Sequence, residues 1–224
     1  MPIRSRSDLT AWTPSAAVFD CDGLLVDTEP CWSAAEAELF ARKRHHFGPA
    51  EKALFIGKSV PVVAKELADY FEEHEAPQEL AEQLAELLER AVARHSPPLP
   101  GAIELVTAAA RRVPVAVVSK APRRVLDIAL RRAGFADLLP VTVAADEVGA
   151  TNLEPDLYLS GCAKLRTQPA RCLAFEDSLI GVRSAWAAGL RTVGVPTISY
   201  LSFPADIVFP TLADERLLAW VETW

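Results

Sequence analysis

Two pairs of carboxylates follow apolar segments that are typical of buried strands. Asp20 and Asp22 come directly after AAVF, and Glu176 and Asp177 come directly after CLAF. Ligands of an open parallel sheet bind at the carboxyl ends of its strands, so these acids would meet at one edge. Such a cluster persists only if it shares protons or holds a hard cation, and oxygen ligands favour Mg²⁺ over zinc. The alternative is that these acids are helix N-caps or solvated loop residues.

Polar residues also follow two further predicted strands. Ser119 and Lys120 come after VPVAVV, and Asp146 and Glu147 come after TVAA. These four residues complete the set of polar side chains that a parallel sheet would present at its carboxyl edge.

The pattern of apolar residues indicates the elements that carry these side chains. Near-continuous apolar strands alternate with amphipathic helices in the second part of the chain, which predicts a parallel sheet covered on both faces. The fold class is therefore α/β, with a Rossmann-like core over residues 14–30 and 97–224. Residues 31–96 contain only helical patterns, and we interpret them as an inserted α-helical cap domain. Residues 1–13 are predicted to be a flexible leader.

Composition and charge limit the partners of the protein. The 224 residues include 23 Lys and Arg and 30 Asp and Glu, which gives a formal net charge of −7, and no basic run occurs. This balance argues against a nucleic-acid groove or an anionic membrane surface as partner. The apolar stretches are shorter than the ~18 residues that span a bilayer, and the four cysteines lack the spacing of a metal site. We predict a soluble, cytoplasmic protein that is a monomer or a weak homodimer.

Four ordered segments resemble the motifs of the haloacid dehalogenase (HAD) superfamily. They are FDCDGLLVDTEP, VVSK, EPDLYL and FEDSLIGVRSAWAAGL, and they are similar to the phosphatase and beta-phosphoglucomutase-like branch with a helical cap. The resemblance covers the chain from about Ala16 to about Phe209, and its first and last motifs are the specific ones. It implies a Mg²⁺-dependent phosphatase that hydrolyses a small phosphorylated metabolite, a sugar phosphate being the expected one.

The resemblance also implies roles for the strand-end residues. Asp20 would be the nucleophile and form an aspartyl-phosphate, and Asp22 would be the general acid and then the general base. Asp20, Asp22, Glu176 and Asp177 would be the metal ligands, Asp22 through its backbone carbonyl. Ser119 precedes a predicted helix, whose N-terminal N–H groups would hold phosphate oxygens together with its hydroxyl. The second Asp argues against carbon-attacking dehalogenases, which do not use an acid at that position.

Four residues are candidates for binding the substrate or shaping the site. Gly23 would permit the tight turn after the first strand. Thr28 would either contact the substrate or cap the helix that follows. Trp32 occupies the place where related phosphomutases carry a cap histidine, which favours hydrolysis over mutase action, although Trp32 could also be core. Lys58 lies in IGKSV, which resembles the cap loop that faces the site.

Two positions depart from the family pattern. The third motif normally carries a lysine where this chain has Asn152, and the second normally carries asparagine where this chain has Lys120. We hypothesise that Lys120 supplies the missing ammonium and that Asn152 fills the vacated space. Two alternatives to a phosphatase stay open at this point. One is a phosphomutase, and the other is a catalytically weakened phosphate-binding or sensing protein.

Overall fold

The strands of the computed structural model form one sheet. The structure describes residues 11–72, 77–148, 155–197 and 202–224. Asn152 therefore lies outside the described residues. The strands are β1 (Ala16–Asp20), β2 (Val115–Ser119), β3 (Val141–Ala144), β4 (Cys172–Glu176), β5 (Arg191–Gly194) and β6 (Ile207–Val208).

The sheet is parallel throughout its described strands, in the order β3-β2-β1-β4-β5-β6. β1 therefore lies in its centre, between β2 and β4. Ala17 and Phe19 belong to one apolar cluster, whereas Ala16 and Val18 belong to another on the opposite face. This alternation within a fully buried strand is what a sheet covered on both faces requires. The predicted α/β class with a Rossmann-like parallel sheet is confirmed.

Helices connect the strands and cover the sheet. A proline lies in the first turn of each of the first three, where its missing N–H costs no hydrogen bond. None of the helices in the described ranges combines the length and the apolar character needed to cross a bilayer. The helices are α1 (Glu29–Arg42), α2 (Pro49–Phe55), α3 (Val60–Tyr70), α4 (Pro77–Arg94), α5 (Ala102–Ala110), α6 (Arg123–Arg132), α7 (Ala145–Val148), α8 (Asp156–Lys164), α9 (Leu179–Ala187) and α10 (Glu215–Glu222).

The helices α1 to α4 lie between β1 and α5 in the chain and share apolar contacts with the rest of the molecule. Helix α4 packs on α1 and α3, and it also packs on α6. Its buried residues Leu80, Leu84 and Leu88 belong to the same apolar cluster as Phe19 of the sheet. Burial of this continuous cluster holds the inserted helices against the carboxyl half of the molecule.

The centre of the sheet is stabilised by a stacked aromatic pair beside the strand ends. Phe19 and Phe175 are register partners on β1 and β4, both fully buried, with ring centroids 4.6 Å apart. We expect Phe19→Ala to lower the free energy of unfolding by about 3–5 kcal/mol, because a cavity replaces the ring. Urea denaturation measures this change. The control Leu54→Ala, at a side chain that is 48% exposed, should cost about 1 kcal/mol or less. Equal losses in the two variants would contradict the prediction.

Candidate active site

Three carboxylates meet where β1 and β4 end. Asp20 is the last residue of β1, Glu176 is the last residue of β4, and Asp177 follows it. The two strands are parallel neighbours in register, so their ends lie side by side. One carboxylate oxygen from each residue lies within 4.8 Å of the others, and all three residues are buried. The structure thus brings together the two remote segments that carry the acids.

Burial and mutual repulsion raise the pKa values of this cluster. The pKa of Asp20 is raised well above its ordinary value by burial and then by the charges of Glu176 and Asp177. Burial, followed by the charge of Glu176, raises the pKa of Asp177 to about 8. Burial also raises the pKa of Glu176. A hard divalent cation would relieve this repulsion, and three carboxylates are a donor set that suits one. The residues present therefore fit a divalent metal.

Glu176 is oriented by neighbours on both sides. Its Oε1 accepts a hydrogen bond from the buried Tyr158 hydroxyl, and its Oε2 accepts from the Ser178 hydroxyl at 3.2 Å and the Ser178 N–H at 3.3 Å. A Cβ added at Gly181 would overlap the Glu176 carboxylate. Sequence reasoning missed Tyr158 and Gly181, because helical spacing alone places both in the core.

Asp177 is positioned by a turn and by a hydroxyl. Thr197 donates to its Oδ2 at 3.0 Å. A Cβ built at Gly23 would lie 2.6 Å from the same oxygen, and Gly23 has a φ of +79°. Glycine is thus required at this position both for the turn after β1 and for the close approach of the carboxylate.

Asp22 lies apart from the three-carboxylate cluster and is held by two hydroxyls. Thr28 Oγ1 donates to Asp22 Oδ1 at 2.8 Å, and Ser119 Oγ donates to Asp22 Oδ2 at 2.6 Å. Ser119 Oγ in turn accepts from the Ala121 N–H at 2.9 Å. Thr28 occupies the N-cap position of α1, as one of the two interpretations expected, but its side chain makes no capping hydrogen bond and donates to Asp22 instead.

Lys120 approaches the site without pairing directly with the nucleophile candidate. Its Nζ donates to the backbone carbonyl of Gly57 at 3.1 Å. In the described part of the chain it makes no ion pair with Asp20, although its charge opposes the upward pKa shifts of Asp20, Glu176 and Asp177. The exchange of roles between Lys120 and Asn152 stays a prediction, since residue 152 lies outside the described ranges.

Two acids at the end of β3 do not join the site. Asp146 accepts from the Arg123 N–H at 3.0 Å, and Glu147 pairs with the Arg123 guanidinium at 2.8 Å and with Lys164 at 3.2 Å. These contacts tie α7 to α6 and α8. Their contacts are structural, and neither residue joins the three-carboxylate cluster.

The helices α1 and α2 and the loop after them line a cavity. The catalytic candidates Asp20, Asp22 and Lys120 line the same cavity from the sheet side. Its volume is about 50 Å³. Lys58 lines it and pairs with Glu66 at 2.6 Å, so its ammonium is already partnered. The residues that line the cavity from this side are Glu29, Trp32, Glu36, Lys52, Phe55, Ile56, Gly57 and Lys58, and those on the sheet side are Asp20, Asp22, Lys120, Asp177 and Ser178.

The lining residues from α1, α2 and the loop after them form one wall of the cavity. Glu36 is a buried acid of this wall, and sequence reasoning missed it. Its side chain is 1% exposed, and its Oε2 accepts a hydrogen bond from Lys52 Nζ at 3.1 Å. Lys52 also approaches Glu29, at 3.4 Å. Burial raises the pKa of Glu36 to about 7 in spite of the Lys52 charge. The spacing of Glu36 is the sequence signal that could have found it. Glu36 lies four residues after Trp32, so the two side chains share one face of α1.

The raised pKa of Glu36 predicts how stability depends on pH. The native state favours the protonated form of Glu36. The stability that Glu36 contributes is therefore complete below the ordinary pKa of a glutamate, and it is lost as the pH rises through about 7. Glu36→Gln stays neutral. At pH 8 we expect it to be more stable than the wild type by up to about 3 kcal/mol, and at pH 5 nearly equal to it.

Urea denaturation of both proteins at the two pH values measures the difference. Glu38→Gln is a matched control, because Glu38 lies on the same helix with its side chain 52% exposed. It should show no such pH-dependent gain. A larger gain for Glu36→Gln at pH 5 than at pH 8 would show that the sign is wrong.

Comparisons with known proteins find a matching family and several relatives. The model of the family described as haloacid dehalogenase-like hydrolase matches residues 14–189. The chain is 31% identical over 207 residues to validoxylamine A 7'-phosphate phosphatase of Streptomyces hygroscopicus subsp. limoneus, covering 89% of this chain and 95% of that protein. It is 30% identical to hexitol phosphatase B of Escherichia coli strain K12, covering 92% and 93% of the two chains.

A solved structure supports the same relationship at the level of the fold and the sequence. The crystal structure of CbbY from Rhodobacter sphaeroides, in complex with phosphate, superposes with a TM-score of 0.78 and 25% sequence identity. The match covers 92% of this chain and 100% of that one.

Proposed function

Since the chain belongs to the haloacid dehalogenase-like hydrolases, we propose that it is a phosphatase that hydrolyses a small phosphorylated metabolite, a sugar phosphate, through Asp20. The observation that carries this proposal is the separation of the acids at the end of β1. Asp20 lies within the three-carboxylate cluster, whereas Asp22 lies outside it and is held by Thr28 and Ser119. This separation supports a division of roles, with nucleophilic attack by Asp20 and proton transfer by Asp22.

In the first step, a carboxylate oxygen of Asp20 attacks phosphorus and the bond from phosphorus to the alcohol oxygen breaks. Asp22 gives its proton to that leaving oxygen, and an aspartyl-phosphate forms on Asp20. In the second step, Asp22 removes a proton from water, whose oxygen attacks phosphorus and releases Asp20 and inorganic phosphate. The hydroxyls of Thr28 and Ser119 fix the Asp22 carboxylate, so that it can serve both steps.

Asp20, Glu176 and Asp177, together with the backbone carbonyl of Asp22, would hold the divalent cation that we propose to be Mg²⁺. When bound, this cation would offset the negative charges of the nucleophile and of the phosphoryl group. Tyr158 and Ser178 keep Glu176 in place, and Thr197 keeps Asp177 in place.

The size of the cavity supports a cap that opens and closes. About 50 Å³ accommodates a few water molecules at most, whereas ligand pockets commonly enclose about 300–1,000 Å³. We propose that residues 31–96 form this cap, move away to admit the substrate and then exclude bulk water. The contact between Lys120 Nζ and the Gly57 carbonyl would hold the closed position.

The alternatives of a phosphomutase and of a sensing protein are not favoured. Both curated relatives named above are phosphatases, which supports release of phosphate to water over its return to the substrate. Tryptophan at position 32 supports the same choice.

A phosphate-release screen over phosphorylated metabolites, with and without Mg²⁺, tests the proposed reaction. We expect the wild type to release phosphate from sugar monophosphates only with the cation. Asp20→Asn should lower kcat at least about 10³-fold, because the nucleophile is lost. Asp146→Asn, a control outside the cavity, should change kcat less than about threefold. Retention of a tenth of the activity by Asp20→Asn would exclude Asp20 as nucleophile.

Lys120→Ala tests whether this lysine supplies the ammonium that the third motif lacks. Because the positive charge of Lys120 stabilises the anionic cluster, we expect kcat to fall at least about tenfold on an accepted phosphate ester. A change under about threefold, or ~0.7 kcal/mol in the barrier, would refute the substitution hypothesis. Lys164→Ala is the control, since Lys164 pairs with Glu147 away from the cavity.

A further inference from the structure

We propose that Glu36 and Lys52 form the subsite that selects the alcohol half of the substrate, and that this subsite favours a monophosphate with an uncharged, polyhydroxylated alcohol half over a bisphosphate. This inference rests on the proposed phosphatase function and specifies the substrate class of the same site. Glu36 lies on α1 and Lys52 on α2, and both line the cavity that contains Asp20 and Asp22.

The hydrogen bonding of Glu36 leaves acceptor positions for a ligand. A carboxyl group has acceptor positions on both oxygens, about four of them when it is ionised. Among the described residues, Lys52 is the side chain that donates to it, with one bond of 3.1 Å. Glu36 is 1% exposed, so bulk water does not serve these positions readily. Hydroxyl groups of a polyol that enters the cavity would supply the missing donors.

The charges on this wall argue against a second phosphate group. Lys52 is paired with Glu36 at 3.1 Å and lies 3.4 Å from Glu29, and Lys58 is paired with Glu66 at 2.6 Å. Both lysines of the wall are thus already matched by carboxylates. A second phosphate would meet Glu29 and Glu36 without a free ammonium on this side, which costs free energy through like-charge repulsion.

Trp32 completes the subsite with an apolar surface. It lies four residues before Glu36 on α1, so the two side chains share one helical face, and both line the cavity. An aromatic ring next to a hydrogen-bonding carboxylate suits a sugar or sugar alcohol, which presents both C–H groups and hydroxyls.

A purely structural role for the pair makes a different prediction. If the ion pair only held α1 to α2, removing it would affect all substrates equally. If it selects hydroxyls, removing it affects polyol phosphates and spares an ester that has no hydroxyls to offer. The discriminating measurement is therefore a ratio of kcat/KM values between substrates.

The experiment compares kcat/KM of the wild type, Glu36→Gln and Lys52→Met for sorbitol 6-phosphate, fructose 1,6-bisphosphate and p-nitrophenyl phosphate, with Mg²⁺ present. We expect the wild type to prefer sorbitol 6-phosphate over the bisphosphate at least tenfold. Both variants should lose at least tenfold on sorbitol 6-phosphate, mainly through KM, and less than threefold on p-nitrophenyl phosphate. Glu38→Gln, on the same helix, should change neither value more than threefold.

Three results would overturn the proposal. Equal losses on sorbitol 6-phosphate and p-nitrophenyl phosphate would assign the pair a structural role only. Turnover of the bisphosphate as efficient as that of sorbitol 6-phosphate would refute the charge argument. Both of these outcomes leave the phosphatase function intact, since p-nitrophenyl phosphate is still hydrolysed. Failure of the wild type on all three esters would instead overturn the phosphatase function, and the subsite with it.

Discussion

The repulsion among three buried carboxylates is the constraint on which the rest of this structure depends. Asp20, Glu176 and Asp177 are close enough to share one cation, and burial removes the water that would otherwise screen them. An arrangement of this kind is costly without a compensating positive charge. The fold accepts this cost at the edge where β1 and β4 end, and the stacked Phe19 and Phe175 rings come one residue earlier on the same two strands.

The neighbours of the cluster show how the fold keeps it in place. Tyr158 and Ser178 occupy both oxygens of Glu176, while Gly23 and Gly181 leave the space that the carboxylates need. Ser178 and Gly181 follow Glu176 closely in the chain, whereas Tyr158 on α8 and Gly23 after β1 come from distant segments. Local and distant groups therefore act on the same few carboxylate atoms.

The wall formed by α1, α2 and the loop after them differs from the carboxylate cluster in its electrostatic character. Its lysines are matched by glutamates, so its charges largely cancel, whereas the sheet side is strongly anionic. A substrate between them would present a phosphate towards the proposed cation and its alcohol half towards Glu36 and Lys52. Under the proposed function, this division would separate the groups that perform the chemistry from those that select the substrate.

Sequence alone determined the α/β class, the order of the elements and the strand-end acids, because apolar periodicity and residue spacing are local properties. It indicated Asp20, Asp22, Glu176 and Asp177, and the family resemblance already implied a different role for Asp22 than for the other three. Only the tertiary structure decided that Thr28 points to Asp22 instead of capping α1, that Asp146 and Glu147 serve Arg123, and that Glu36 is buried against Lys52. The physical reason is that hydrogen-bond partners and burial depend on which distant segments share a surface, and a linear pattern does not record that.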